Sequence, residues 1–163
     1  MAKANLLTRR GALQTITVAC CCMGAAPARS EKQVDQITDS RATAAQDMFR
    51  FAPNLLRVVP GESIVFLNSR GQHTVHSVPQ LWPQSAPAVA ISNKPEVSVT
   101  FDEEGFYGFR CRRHGIYGMV MLVVCGHGGD LQHALEQVDE MKARAREKLA
   151  FKTLLANYQQ TLG

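Results

Sequence analysis

The chain has 163 residues, of which 45% are hydrophobic, and it carries 18 basic and 14 acidic side chains. The formal net charge of +4 is too small to indicate a nucleic-acid-binding surface. The length suits one domain that can bury its own core.

Residues 1–28 have the features of an export signal. They contain three basic residues and no acidic one, continue with a modest apolar run, and end in Ala-Pro-Ala. The pair Arg9-Arg10 resembles the twin-arginine type of bacterial signal, and a plain secretory signal is the alternative. The apolar run is shorter than the roughly 20 residues that a transmembrane helix needs. We therefore expect a mature domain, residues 29–163, in the periplasm and without a membrane span.

Removal of this signal would leave only two of the five cysteines, Cys111 and Cys125. An oxidising compartment favours a disulfide between two such residues. Cys111, however, lies in a stretch that also contains a histidine and a methionine. Cys125 ends an apolar run, and we expect it to be a small, buried, free thiol.

The middle of the chain predicts short strands. Apolar or alternating stretches typical of strands cover residues 63–68, 96–101, 105–111 and 119–124. An acidic turn that ends in glycine, residues 102–105, connects two of them. Several short strands at this spacing, with no long helix between them, favour a mainly β sandwich over a parallel sheet.

The pattern changes after residue 129, so that strands are expected to about residue 125 and helices over about 130–160. Asp130 is a plausible N-cap, and apolar residues then recur near helical spacing between charged ones. We expect two amphipathic helices, a short and a longer one with a break near Asp139, that cover the sandwich core. A partner-binding helix is the less favoured alternative.

Residues 111–119, CRRHGIYGM, place three metal-binding side-chain types in one short stretch: Cys111, His114 and Met119. Cys111 ends one predicted strand and Met119 begins the next, and His114 lies on the bend between them. All three side chains can therefore converge at one end of the sandwich.

A fourth ligand is expected from the segment GQHTVHS, which contains His73 and His76. Residues three apart in an extended strand point to opposite faces, so only one of the two can reach the same ion. The strand pattern alone leaves open which one it is.

Two histidines, a cysteine and a methionine form the donor set that selects copper, with a short thiolate bond and a long thioether bond. Zinc can use two histidines and a cysteine, but it has no use for the methionine. The residues therefore favour one copper ion of the type 1 kind.

Three stretches between about residues 32 and 158 carry a family resemblance: MFRFAPNLLRVVPGESIVF, HTVHS and FYGFRCRRHGIYGMVMLVV. They resemble the pseudoazurins, which are blue copper proteins of the cupredoxin type. The two C-terminal helices also fit this family. The resemblance implies an eight-stranded Greek-key β-sandwich followed by two α-helices, and one copper ion.

The resemblance also implies the ligand set His73, Cys111, His114 and Met119, with His76 as a nearby surface residue. The chain departs from the family pattern at several places. Thr74 stands where pseudoazurins usually have asparagine, Arg112-Arg113 replaces a threonine-proline pair, and Gln72 is an extra residue. We expect the Thr74 hydroxyl to keep a weakened link between the ligand segments. We also expect the backbone N–H of Arg113 to donate a hydrogen bond to the Cys111 sulfur.

The expected function is periplasmic electron transfer. Four protein ligands leave no open metal position for a substrate, and no nucleophile or acid–base pair accompanies them, so we do not expect an enzyme. The alternative is a copper carrier or storage protein that delivers the metal itself. A copper enzyme is less favoured, because His127 and His133 lie in a separate region.

The electron is expected to pass through the edge of His114 to a docked partner. Gly115, Ile116 and Gly118 are expected to form a small apolar surface there, ringed by basic residues (Arg70, Arg112 and Arg113) that attract an acidic partner. The resemblance implies copper nitrite reductase or nitrous oxide reductase as partners, and c-type cytochromes are further candidates.

Overall fold

The computed structural model describes residues 31–162, and the predicted export signal, residues 1–28, lies outside them. The strands are β1 (Lys32–Thr38), β2 (Phe49–Ala52), β3 (Leu55–Val58), β4 (Glu62–Ser77), β5 (Ala90–Phe101), β6 (Gly105–Arg110) and β7 (Val120–Cys125). The helices are α1 (Ala45–Met48), α2 (Leu131–Glu140) and α3 (Ala145–Gln160), and short 3₁₀ turns cover Pro79–Leu81 and Gly115–Tyr117.

The strands form one curved sheet with the order β2-β1-β4-β6-β7-β3, and β5 pairs with β4. Two pairings are parallel, β1 with β4 and β3 with β7, and the others are antiparallel. The 16-residue β4 changes register against β5 between Ser69 and Thr74, so it contributes two strand segments, which brings the count to eight. The predicted mainly β sandwich with two C-terminal helices is confirmed.

Strand β7 explains how the sandwich and the helices share one core. All six of its residues are buried, because both faces of the strand are covered. One face packs inside the sandwich through Met121, Val123 and Cys125. The other face packs against α2 and α3 through Val120, Leu122 and Val124. The helices therefore complete a second apolar layer behind the strand that follows the metal-binding stretch.

The two C-terminal helices follow the predicted pattern closely. The Asp130 side chain accepts a hydrogen bond from the His133 N–H at 3.1 Å, so it is the N-cap of α2. The break between the helices falls at residues 141–144, just after the predicted position. Phe151, Leu155 and Tyr158 of α3 are buried, and Leu149, which belongs to the predicted apolar pattern, is 65% exposed.

Three strands at the start of the domain were not predicted. β1, β2 and β3 are seven, four and four residues long, and their buried apolar residues are Val34, Phe51 and Val58, one in each strand. Such short, mixed stretches carry little periodicity.

In residues 31–162 the helices are too short or too polar to cross a membrane.

Candidate metal centre

Three of the predicted ligands meet at one end of the sandwich. The potential ligand atoms of His73, Cys111 and His114 all lie within 4.8 Å of one another, and all three side chains are buried. The Cys111 Sγ atom lies 3.6 Å from Nδ1 of His114. Such a cluster of a thiol and two imidazoles, shielded from water, suits a single metal ion.

A tight loop connects the ligands that follow β6. The backbone N–H of Cys111 donates to the carbonyl of Met119 at 3.1 Å, so these two residues are paired at the base of the loop. Gly115 N–H donates to the Cys111 carbonyl at 2.8 Å, and Met119 N–H donates to the His114 carbonyl at 3.2 Å. Gly118 has a φ of +96°, which favours glycine at this bend. Met119 is fully buried in the same core cluster as Cys111.

His73 has one ring nitrogen bonded and one left over. Its Nε2 lies 2.7 Å from the Thr38 hydroxyl. Its Nδ1 is buried and has no hydrogen-bond partner within the described part of the chain. An unpaired buried nitrogen is costly, and metal coordination through Nδ1 would remove that cost. The Thr38 hydroxyl accepts from Nε2–H in that arrangement and fixes the ring.

His76 does not join this cluster. It pairs in register with Arg110 of β6 and is half-buried, whereas His73 is 8% exposed. Burial lowers the pKa of His76, and the nearby Arg112 and Arg110 lower it further. The two histidines therefore have the separate environments that strand alternation predicts.

Burial keeps the clustered histidines neutral. It lowers the pKa of His73, and it lowers the pKa of His114, which His73 and Arg113 lower further. A neutral imidazole has a free lone pair for a metal. The cluster can therefore bind a cation near neutral pH without first losing protons from these rings.

Phe49 covers the His114 ring, a contact that no pattern in the sequence indicates. The two rings stack with centroids 3.9 Å apart and planes at 4° to each other. Tyr117 lies beside this stack, with its ring centroid 5.7 Å from that of Phe49 and 6.5 Å from that of His114. Phe49 sits within the MFRFAP stretch that resembles the pseudoazurins, and no periodicity marks it. The stack shields one face of His114 from solvent.

The Thr74 hydroxyl forms the expected link between the ligand segments. It accepts a hydrogen bond from the Arg112 N–H at 3.0 Å and donates towards the Cys111 sulfur at 3.9 Å. The predicted hydrogen bond from the Arg113 N–H to that sulfur is not present among the described residues, so this expectation is wrong. Thr74 supplies the hydroxyl contact to the sulfur instead. The carbonyl of Gln72, the extra residue, lies 3.9 Å from the same sulfur.

The surface around the loop differs in part from the predicted one. Ile116 is 47% exposed, as expected, and Tyr117 beside it is 39% exposed. Gly118 is half-buried, and Gly115 is buried, because the carboxylate of Glu147 lies against it. The apolar surface therefore consists of Ile116 and Tyr117 more than of the glycines.

Basic residues border this surface. Arg112 and Arg113 are exposed, and neither side chain forms an ion pair with another residue in the described ranges. The side chain of Arg70, the third predicted member of the ring, lies outside the described residues.

His127 and His133 are exposed and separate from the cluster, and His127 lies 3.4 Å from Glu104.

Cys125 is a free thiol, as predicted. It is fully buried and lies on the inner face of β7, with its sulfur 3.7 Å from the carbonyl of Phe101. Burial raises the pKa of its thiol, and the nearby Glu104, Glu62 and Asp102 raise it further. A protonated, shielded thiol is unreactive.

Comparison with known proteins identifies the family. The sequence pattern of the copper binding proteins of the plastocyanin/azurin family matches residues 38–126. The chain belongs to this family. Copper is therefore its metal, and the cluster of His73, Cys111 and His114 with the buried Met119 has the make-up of a type 1 copper site.

Relatives of known sequence are pseudoazurins. The pseudoazurin of Methylorubrum extorquens is 40% identical over 95 residues, which is 58% of this chain and 64% of that protein. The pseudoazurin of Paracoccus pantotrophus is 28% identical over 99 residues, 61% of this chain and 68% of that protein. The matched part thus spans less than two-thirds of the first relative. The predicted resemblance to pseudoazurins is confirmed.

Solved structures give the same result over a longer part of the chain. The crystal structure of pseudoazurin from Methylobacterium extorquens AM1 has a TM-score of 0.65 and 32% identity, and covers 78% of this chain and 98% of its own. Pseudoazurin from Hyphomicrobium denitrificans has a TM-score of 0.64 and 26% identity, with the same coverage. The structural similarity therefore covers a larger share of the chain than the family pattern, which matches 89 residues.

Proposed function

We propose that the protein is a periplasmic carrier of single electrons whose copper ion is held by His73, Cys111, His114 and Met119. The observation that carries the proposal is the buried Nδ1 of His73, which has no hydrogen-bond partner in residues 31–162 and belongs to the cluster with Cys111 and His114. Copper, when bound, supplies a one-electron change of oxidation state. The chain's own residues determine how rigid, dry and accessible that site is.

The four side chains come from parts of the fold that are already fixed. Cys111 and Met119 are paired at the base of the loop by a backbone hydrogen bond, and the Thr38 hydroxyl lies 2.7 Å from Nε2 of His73. A donor set held in this way need not rearrange when the charge of the ion changes, which favours fast electron exchange. It also leaves little room for a substrate, so we propose that the protein is not an enzyme.

The electron would leave through the loop at His114. Phe49 covers one ring face, and Ile116 and Tyr117 are the exposed large apolar side chains of this loop. An apolar spot of this size suits a small, transient contact with a partner. The exposed Arg112 and Arg113 beside it favour a partner with an acidic surface, because opposite charges speed up encounter.

The partners and compartment proposed for this chain follow from its likeness to pseudoazurins and from the sequence of its first 28 residues. We propose export to the periplasm and exchange of electrons with copper nitrite reductase, nitrous oxide reductase or c-type cytochromes.

Charge reversal at Arg112 should slow electron transfer to an acidic reductase, and the difference in rate from the wild type should shrink at high salt.

Copper titration of the apoprotein, followed by voltammetry, tests the proposal. One equivalent of Cu²⁺ should produce an intense visible thiolate-to-copper band, and the loaded protein should cycle reversibly by one electron. No such band would contradict the ligand set. A band without reversible cycling, together with rapid loss of Cu⁺ to a chelator, would favour metal delivery over electron transfer.

A further inference from the structure

A buried carboxylate from the C-terminal helix lies directly behind the metal-binding loop. Glu147, in the first turn of α3, is only 3% exposed. A buried carboxylate is costly unless other groups compensate its charge. Glu147 is not among the proposed metal ligands, so its burial needs a separate explanation.

Glu147 lies against both residues that flank the segment from Cys111 to His114. Its Oε1 atom lies 3.2 Å from Nη1 of Arg110, the residue before Cys111. Its two carboxylate oxygens would lie 3.3 and 3.5 Å from a Cβ atom placed on Gly115, the residue after His114. The Glu147 side chain therefore lies against the residues on both sides of segment 111–114, which carries the proposed ligands Cys111 and His114.

A helix-to-sheet ion pair would explain the contact with Arg110 but not the one with Gly115. The Arg110 side chain is 39% exposed and could be solvated without a partner. Gly115 is buried, and its N–H bonds the carbonyl of Cys111, so any shift of Gly115 moves the turn that carries His114. The carboxylate occupies the space into which this turn could otherwise relax.

We propose that Glu147 is a positioning residue of the copper site: its carboxylate clamps Arg110 and Gly115 and so fixes the separation of Cys111 and His114. The role of α3 then extends beyond covering the core, because it helps to set the ligand geometry. The proposal rests on the proposed copper site, and its first two tests use the apoprotein so that they do not depend on that site.

Amide exchange in the apoprotein is the first test. Glu147→Gln keeps the shape but removes the charge, and Glu147→Ala removes both. Exchange at residues 111–119 should become about tenfold faster in Glu147→Ala, the factor expected when a hydrogen bond to a charged group is lost. The matched control is Asp139→Asn, which removes the 2.7 Å ion pair between α2 and Lys152 of α3 without touching the loop. Equal changes in both variants would overturn the proposal.

A double-mutant cycle is the second test. The backbone of Gly115 does not lie in the region that favours glycine, so alanine is allowed there, but its Cβ would press on the carboxylate. Gly115→Ala should therefore speed up loop exchange in the wild-type background and have little effect in the Glu147→Ala background. Additive effects would mean that the two residues do not act on each other, and would overturn the proposal. If Glu147→Ala does not fold, Glu147→Asp, whose shorter side chain draws the carboxylate away from Gly115, takes its place in the cycle.

The reduction potential of the copper-loaded protein separates positioning from simple stabilisation. Removal of the carboxylate charge in Glu147→Gln leaves Arg110 uncompensated, which favours the reduced, less positive site. We expect a higher midpoint potential and a shifted visible band in this variant, and neither change in Asp139→Asn. A lower melting temperature with unchanged potential, band and loop exchange would show that Glu147 only stabilises the fold, and would contradict the proposal. A failure to bind copper in the wild type would contradict the proposed function and leave the apoprotein tests valid.

Discussion

Thr38→Val removes the hydroxyl that lies 2.7 Å from Nε2 of His73. Valine has nearly the same shape as threonine, so the packing should be preserved while the hydrogen bond is lost. If Nδ1 binds the metal, Nε2 must carry the proton, and without the Thr38 hydroxyl this N–H loses the acceptor that the fold provides. The substitution therefore affects the metal-bound state more than the free one, in which the ring can change tautomer.

The expected loss follows from the cost of an unpaired donor. Leaving a buried N–H without an acceptor costs about 1–3 kcal/mol, and each 1.4 kcal/mol is about a tenfold change in an equilibrium constant. We therefore expect copper affinity to fall by about ten- to a hundredfold in Thr38→Val, the range typical for groups that orient a ligand. Competition with a chelator of known affinity would measure this loss.

Two variants serve as controls for Thr38→Val. Thr38→Ser keeps a hydroxyl and should retain most of the affinity. Thr100→Val removes the exposed hydrogen bond between Thr100 and Ser63, 2.8 Å long and on a different pair of strands, and should leave copper binding unchanged. Equal affinities in Thr38→Val and the wild type would refute the view that Thr38 fixes the ring of His73.

Three further predictions concern the same end of the sandwich. His73→Ala should abolish the visible copper band and His76→Ala should leave it largely intact, because only one faces the cluster; the opposite pattern in absorption spectra would reverse the assignment. Phe49→Leu should lower the midpoint potential measured by voltammetry, because water can then stabilise the more highly charged oxidised site, and Phe49→Tyr, which keeps the ring stack, should not. Cys125→Ala should bind copper normally with a small loss of thermal stability, and a Cys111-Cys125 disulfide found by mass spectrometry in the loaded protein would contradict this.

The parts of the fold and site that could be predicted depend on local patterns. The spacing from Cys111 to Met119 is short, so a single tight loop brings both ends together whatever the rest of the chain does. The helices were predicted because an N-cap at Asp130 and a repeating apolar pattern lie within one stretch of sequence. For His73, strand alternation reduced two candidates to one, and the likeness to pseudoazurins chose between them.

The supporting contacts of Thr38 and Glu147 could not be predicted, because they join residues far apart in the sequence and the likeness to pseudoazurins did not indicate them. Thr38 and His73 are 35 residues apart, and Arg110 and Glu147 are 37 apart. Nothing in the local sequence of Thr38 or Glu147 indicates a partner: one is a strand residue and the other is one of several charged residues on a helix. Their roles follow from the parallel pairing of β1 with β4 and from the packing of α3 on β7.

At Thr74, where pseudoazurins usually have asparagine, the family pattern and the distances in the structure can be compared directly. A hydroxyl has one donor and two acceptor positions, so threonine can replace asparagine as a link only if both neighbours lie within its shorter reach. The 3.0 Å bond from the Arg112 N–H meets this condition, while the 3.9 Å contact to the sulfur is long even for sulfur. The link therefore holds the loop backbone more firmly than it affects the thiolate. Replacement of Thr74 should accordingly disturb the position of Cys111 more than the electron density on its sulfur.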